Sequence, residues 1–145
     1  MALITTPEAT AVIKCALRVH SVVGPGVFES VYEECLAHEL RKKGLAFRRQ
    51  VLLPLRYDGI VLPRAFMADF VVEDAVLVEL KSVEKILPVH CAQVMTYLRL
   101  SGLQKGLLIN FNVPHLKEGL KSFLSRSVSQ ERHTEGRRDG GIGRA

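Results

Sequence analysis

Cysteine is scarce in this chain of 145 residues, and the three present, Cys15, Cys35 and Cys91, share no CxxC spacing. That argues against a disulfide framework and against a zinc or iron–sulfur site. Cys15 and Cys35 fall on apolar helical stripes and read as buried thiols. No apolar run is long enough to span a membrane. The opening MALITTPEAT lacks the charged start and apolar core of a secretion signal, so a cytoplasmic location is expected. Internal repeats are also missing, and the length suits one domain with one core.

The charge is a mild excess, formally +5. It permits a polyanionic partner without demanding one. Its distribution says more. RKKGLAFRRQ, residues 41–50, holds five basic side chains. These either contact a nucleic-acid backbone or form a solvated face. Residues 125–145 carry Arg126, Arg132, Arg137, Arg138 and Arg144 among Gly and Ser, and read as a disordered basic tail. The remaining residues, 1–124, form the expected single domain.

Thr5-Thr6-Pro7-Glu8 starts a first helix, either as a capping box or with Thr6 as cap and Pro7 at the first position. Val12, Cys15, Ala16, Val19 and Val23 follow at helical spacing, and GPG (24–26) ends the stripe. A second helix is predicted over Phe28–Lys43, with Phe28, Val31, Tyr32, Cys35, Leu36 and Leu40 on its apolar side. Strands come next, turning at Tyr57-Asp58-Gly59 and again at Glu73-Asp74. A third helix spans about Pro88 to Leu100. GLLINF (106–111) is a buried strand, and VPHLKEGLKSFL closes the domain with one or two helical turns. The order αα, strands, α, β predicts an α/β or α+β domain with a mixed central sheet flanked by helices.

Charges interrupt the predicted strands. Asp69 breaks FMADFVV, and Glu79 and Lys81 break AVLVELK. Spaced two apart, Glu79 and Lys81 point to one face. A three-residue loop over 73–75 would pair Val72 with Val76 and hence Asp69 with Glu79. A two-residue loop would put the two acids on opposite faces. Two opposed carboxylates repel unless a cation joins them, and hard oxygen ligands suit Mg²⁺ or Mn²⁺. Lys81 could then orient a water and meet developing negative charge. A second reading is a strand-end salt bridge with Asp69 turned to solvent. On the third helix, Gln93 and Tyr97 are four apart and share a face, while Ala92, Met95 and Leu98 point to a buried side. Tyr97 could serve a phosphate or simply pack.

Asp, then ExK about ten residues on, then QxxxY on a following helix, resembles the PD-(D/E)XK nuclease superfamily and its RecB-like branch. GPGVFESVYEECLAHEL holds Gly26, Glu29 and Tyr32 in GxxExxY spacing and is similar to the GxxExxY protein family. VHSVVGPG, ADFVVED, VELKSVEK, AQVMTYL and GLLINFNVP resemble further blocks of that family, so the likeness runs over about residues 5–124.

The resemblance implies a restriction-endonuclease-like core with Asp69, Glu79 and Glu29 as metal-binding acids. It implies Lys81 as the catalytic lysine and Gln93 and Tyr97 as the final motif. His20 is an additional candidate ligand, or a helix-ending histidine bonded to backbone. The implied cofactor is Mg²⁺ or Mn²⁺. The implied partner is nucleic acid, DNA ahead of RNA, with no membrane and with a homodimer left open. The expected activity is phosphodiester hydrolysis with little sequence specificity, since no recognition domain accompanies the core. Hydrolysis of another phosphoester, or a non-catalytic adaptor on the same fold, are the alternatives.

Overall fold

The structure is a computed structural model and describes residues 6–125. Thr6 caps the first helix, α1 (Pro7–Val23): its hydroxyl accepts the Ala9 N–H at 3.1 Å, and Pro7 occupies the first position. α1 buries Ala9, Val12, Cys15, Ala16 and Val19. α2 (Glu29–Lys42) buries Tyr32, Leu36, Ala37 and Leu40. Phe28 and Val31, expected on that apolar side, are exposed. Phe28 precedes the first turn, and Val31 lies about 100° around the helix from Tyr32.

The strands are β1 (Phe47–Tyr57), β2 (Ile60–Val72), β3 (Val76–Lys81), β4 (Lys105–Asn110) and β5 (Leu120–Leu124), with α3 (Pro88–Ser101) between β3 and β4. They form one five-stranded sheet in the order β1-β2-β3-β4-β5. β3 and β4 are parallel, joined by the α3 crossover, and the other pairs are antiparallel. The fold is therefore a mixed α/β domain, as its sequence pattern predicts. β5 is a correction. LKSFL reads as helical turns, but only Leu116–Gly119 forms a short 3-10 turn, and Leu120–Leu124 pairs with β4. β4 is buried along its whole length, and β5 covers the edge it would otherwise leave open.

Two cores lie on opposite sides of the sheet. α1 and α2 pack with Phe70, Val72, Val76, Val78, Leu80, Leu107 and Ile109. α3 packs through Val94, Tyr97 and Leu98 on Leu53, Ala68, Leu77 and Leu108. Ala92, expected in that buried face, is exposed, because the buried stripe runs one position further round. α3 lies close on β4 at Gly106, where a Cβ would come within 3.0 Å of Val94 Cγ1 and 3.2 Å of Leu98 Cδ1.

The β1–β2 hairpin changes face part-way. Phe47, Phe70 and Val72 pack with α1 and α2, whereas Val51, Leu53, Phe66 and Ala68 pack with α3. In a regular strand residues two or four apart share a face. The hairpin therefore swivels between the Arg49↔Phe70 and Val51↔Ala68 pairs, at Gln50 and Asp69. Gln50 has φ +51°, a left-handed backbone in mid-strand.

Among the described residues no helix is long and apolar enough to cross a membrane. Ser125 is buried and donates its N–H to the Gln104 carbonyl at 2.8 Å. The rest of the expected tail, residues 126–145, lies outside the described residues.

Candidate active site

β2 and β3 are joined by the three residues Glu73, Asp74 and Ala75, with Val72 opposite Val76 and Phe70 opposite Val78. The next pair in this register is Asp69 with Glu79. There the backbone ladder gives way to two side-chain bonds. Glu79 Oε1 accepts the Asp69 N–H at 2.9 Å, and Asp69 Oδ2 accepts the Leu80 N–H at 2.8 Å. Each acid thus ties down the strand of the other, and the two carboxylates are held at the point where the strands part.

Their electrostatics follow from that placement. Burial, then the charge of Asp69, pushes Glu79 up to about 8, against the opposing pull of the Asp69 N–H and of Lys81. Burial likewise raises Asp69, and Glu33 adds to the rise, while the Leu80 N–H and Lys81 pull it down. Lys81 is half-buried, two residues beyond Glu79 on β3. The arrangement is an acid pair, Glu79 buried and Asp69 half-buried, with one ammonium beside it.

Glu29 comes from the other side of the molecule. The turn between α1 and α2 has Gly24 at φ +74° and Gly26 at φ +98°, conformations glycine adopts without strain. Tyr32 locks this turn. Its hydroxyl donates to the Gly24 carbonyl at 2.6 Å and accepts from the Val27 N–H at 3.4 Å, and its ring stacks on Phe111 at 4.4 Å. Ser82 Oγ donates to the Val27 carbonyl at 2.7 Å, fastening the turn to the end of β3. Glu29 then opens α2. Exposed as a residue, it still turns its carboxyl toward enough protein that burial, then the Asp69 charge, raises its pKa, with Lys81 opposing. Among the described residues no three His, Cys, Asp or Glu side chains form a ready metal-holding group. Glu29 acts on the pair through its field.

Tyr32→Phe should leave the Gly24 carbonyl and Val27 N–H without their partner. We expect a loss of about 1–3 kcal/mol in urea unfolding, with helix content retained.

Gln93 and Tyr97 of α3 meet as their spacing predicts. The Gln93 side chain and the Met67 backbone lie beside the Tyr97 hydroxyl and lower its pKa, against the larger rise from burial. Tyr97 is buried, its ring against Phe66 at 5.6 Å. Burial, then the charges of Glu79 and Asp69, raise its pKa, so the phenol faces the acid pair. Tyr97 thus both packs and borders the site.

A family model described as the PD-(D/E)XK nuclease superfamily matches residues 6–123. The chain belongs to this superfamily. A search of curated proteins finds no match. Among solved structures, the crystal structure of SSO0001 is similar with a TM-score of 0.53 at 15% identity, over 92% of this chain and 79% of that one. At that identity the likeness speaks for the fold alone.

Members of the PD-(D/E)XK superfamily are usually nucleases and generally use a divalent metal such as Mg²⁺. The donors of this PD-(D/E)XK chain fit such an ion. Asp69 and Glu79 offer only oxygen and lie side by side, Glu79 buried and Asp69 half-buried, and burial raises the pKa of both.

His20 takes its backbone reading: Nε2 is hydrogen-bonded to the Val113 carbonyl at 2.8 Å. Several basic residues of 41–50 have internal partners. Arg49 pairs with Glu33 at 3.0 Å and Glu34 at 2.7 Å, Arg48 pairs with Asp74 at 3.1 Å, and the Arg41 guanidinium lies over the Phe47 ring. Glu33 and Glu34 stand on α2 where β1 brings Arg49 to them.

Three supporting residues escape a reading of the sequence. Gln50 of β1 donates to Asp69 Oδ1 at 3.4 Å and to Glu33 Oε1 of α2 at 2.9 Å. Asn110, buried opposite Lys81, accepts the Val83 N–H at 3.0 Å and donates to the Val83 carbonyl at 2.9 Å, fixing the chain just past the lysine. An Asn ending the apolar run GLLIN is the signal that points to it, of the same kind as the charges in VELK.

Proposed function

We propose that this PD-(D/E)XK protein is a metal-dependent nuclease that hydrolyses phosphodiester bonds of nucleic acid, DNA ahead of RNA, with little sequence specificity. Within the superfamily we place it with the GxxExxY proteins and the QxxxY-bearing RecB-like branch. The observation that carries the reading is the pair of crossed bonds that holds the Asp69 and Glu79 carboxylates together beside Lys81.

In this reading Asp69 and Glu79 hold Mg²⁺ or Mn²⁺, with Glu29 adding negative field or a further oxygen. When bound, the ion polarises a phosphate oxygen and acidifies a water. The crossed bonds keep both carboxylates in place before substrate arrives, so little reorganisation is left for the reaction. Lys81 orients the attacking water and faces the charge that develops on the phosphate. Gln93 steadies the Tyr97 hydroxyl, which borders the phosphate path. With Arg48 and Arg49 engaged in ion pairs, phosphate contacts fall more to other basic residues.

The test is cleavage of single-stranded DNA, duplex DNA and RNA with and without Mn²⁺ or Mg²⁺, beside the melting temperature in the same buffers. The expected result is metal-dependent cleavage and a metal-induced rise in melting temperature. Neither cleavage nor a rise would sink the enzyme reading and favour a non-catalytic adaptor.

A further inference from the structure

We propose that Gln50 is a positioning residue for the Asp69–Glu79 pair, acting through its left-handed backbone and its side-chain amide together. The inference rests on the reading of that pair as the metal-holding acids. Gln50 stands in mid-strand with φ +51°, a conformation that residues other than Gly, Asn and Asp seldom adopt. Strained backbone of this kind persists where its surroundings over-determine it. The register runs from Arg49↔Phe70 to Val51↔Ala68, so Gln50 faces Asp69, which in turn faces Glu79. Three polar residues therefore form one row across β1, β2 and β3, at the point where the hairpin swivels from one core to the other.

The amide supplies the second half. Gln50 Nε2 donates to Glu33 Oε1 at 2.9 Å and lies 3.4 Å from Asp69 Oδ1. Glu33 is itself held by Arg49, whose Nε donates to Oε2 at 3.1 Å. Asp69 is thereby gripped at both oxygens, Oδ2 by the Leu80 N–H and Oδ1 by the Gln50 amide. The grip fixes rotation of the carboxylate about its own axis, which the Leu80 bond alone would not. Gln50 is itself exposed, so its bonds to the acids, and not its burial, are what the left-handed backbone serves. Here the same backbone turn aims the amide between two acids. Glycine would suit the φ angle but has no donor, and asparagine suits it with an amide one carbon shorter.

The experiment compares wild type, Gln50→Gly and Gln50→Asn in the full chain. It measures Mn²⁺ affinity by titration calorimetry, melting temperature without metal, and kcat and KM for DNA cleavage. Gln50→Gly should keep or raise the melting temperature while weakening Mn²⁺ binding about 10- to 100-fold, in the range of other residues that orient metal ligands. kcat at limiting metal should fall with it, and KM for DNA should change little. Gln50→Asn should lie between the two. A Gln50→Gly protein with wild-type Mn²⁺ affinity and rate would overturn the proposal. So would a Gln50→Gly protein that loses its fold, if Gln50→Asn then binds Mn²⁺ as wild type does. Absence of Mn²⁺ binding in the wild type would instead overturn the reading of Asp69 and Glu79, and this inference with it.

Discussion

Lys81→Ala is expected to leave the fold nearly intact and to lower cleavage about 10²–10³-fold, by analogy with the loss of one oxyanion donor. The lysine ends β3, half-buried, and its ammonium makes no ion pair among the described residues. Little packing goes with it. Its charge does matter to its neighbours, for it lowers the pKa of Asp69, Glu79 and Glu29. Removing it makes the acid pair hold protons more firmly, and the fold tolerates a neutral pair. Nucleic-acid binding should survive, since other basic residues supply phosphate contacts. Cleavage rate, melting temperature and a filter-binding titration on the same preparation decide the matter. A Lys81→Ala protein that cleaves like wild type would remove the lysine from the mechanism.

The second large effect is on stability. Glu79 binds its proton up to about 8 in the fold, against about 4.3 in an unfolded chain. Between those values the folded state holds a proton that the unfolded state has released, so stability falls as pH rises. The contribution is complete below the lower value and gone above the upper one. At about 1.4 kcal/mol per unit this is on the order of several kcal/mol, about 10 °C or more for a domain of this size. Asp69 and Glu29, also raised, act in the same sense. A divalent ion should reverse the trend, since it binds the deprotonated pair, so the rise in melting temperature it causes should grow with pH. Glu79→Gln should flatten the metal-free curve and abolish both the metal effect and cleavage. Melting curves from about pH 4.5 to about pH 9, with and without Mn²⁺, measure all of this. A metal-free wild type whose stability climbs with pH across that range would contradict a Glu79 that keeps its proton in the fold.

The heart of the candidate site was legible in the sequence because it depends on counting. An odd loop over 73–75 sets the Asp69–Glu79 register, and a spacing of four joins Gln93 to Tyr97. Features that depend on partners from distant segments were not legible. Glu33 looks solvated until β1 delivers Arg49 and Gln50 to it. The swivel was hidden because it requires a left-handed backbone at a glutamine, a residue that carries no turn signal. LKSFL is too short for periodicity to separate strand from helix, and only the bare edge of β4 settles it. Phe28, large and apolar, invites a place in the core, yet the Gly24–Gly26 turn leaves it outside.

The crossed bonds near the end of β3 separate what folding asks of these positions from what chemistry asks. Asp69 and Glu79 each satisfy a backbone N–H of the strand opposite, but an amide oxygen would accept that bond as well, so folding alone asks for an acceptor there and not for a charge. Lys81 has no such second duty. On the proposed reading, a substitution at position 81 would therefore cost turnover before it cost the fold.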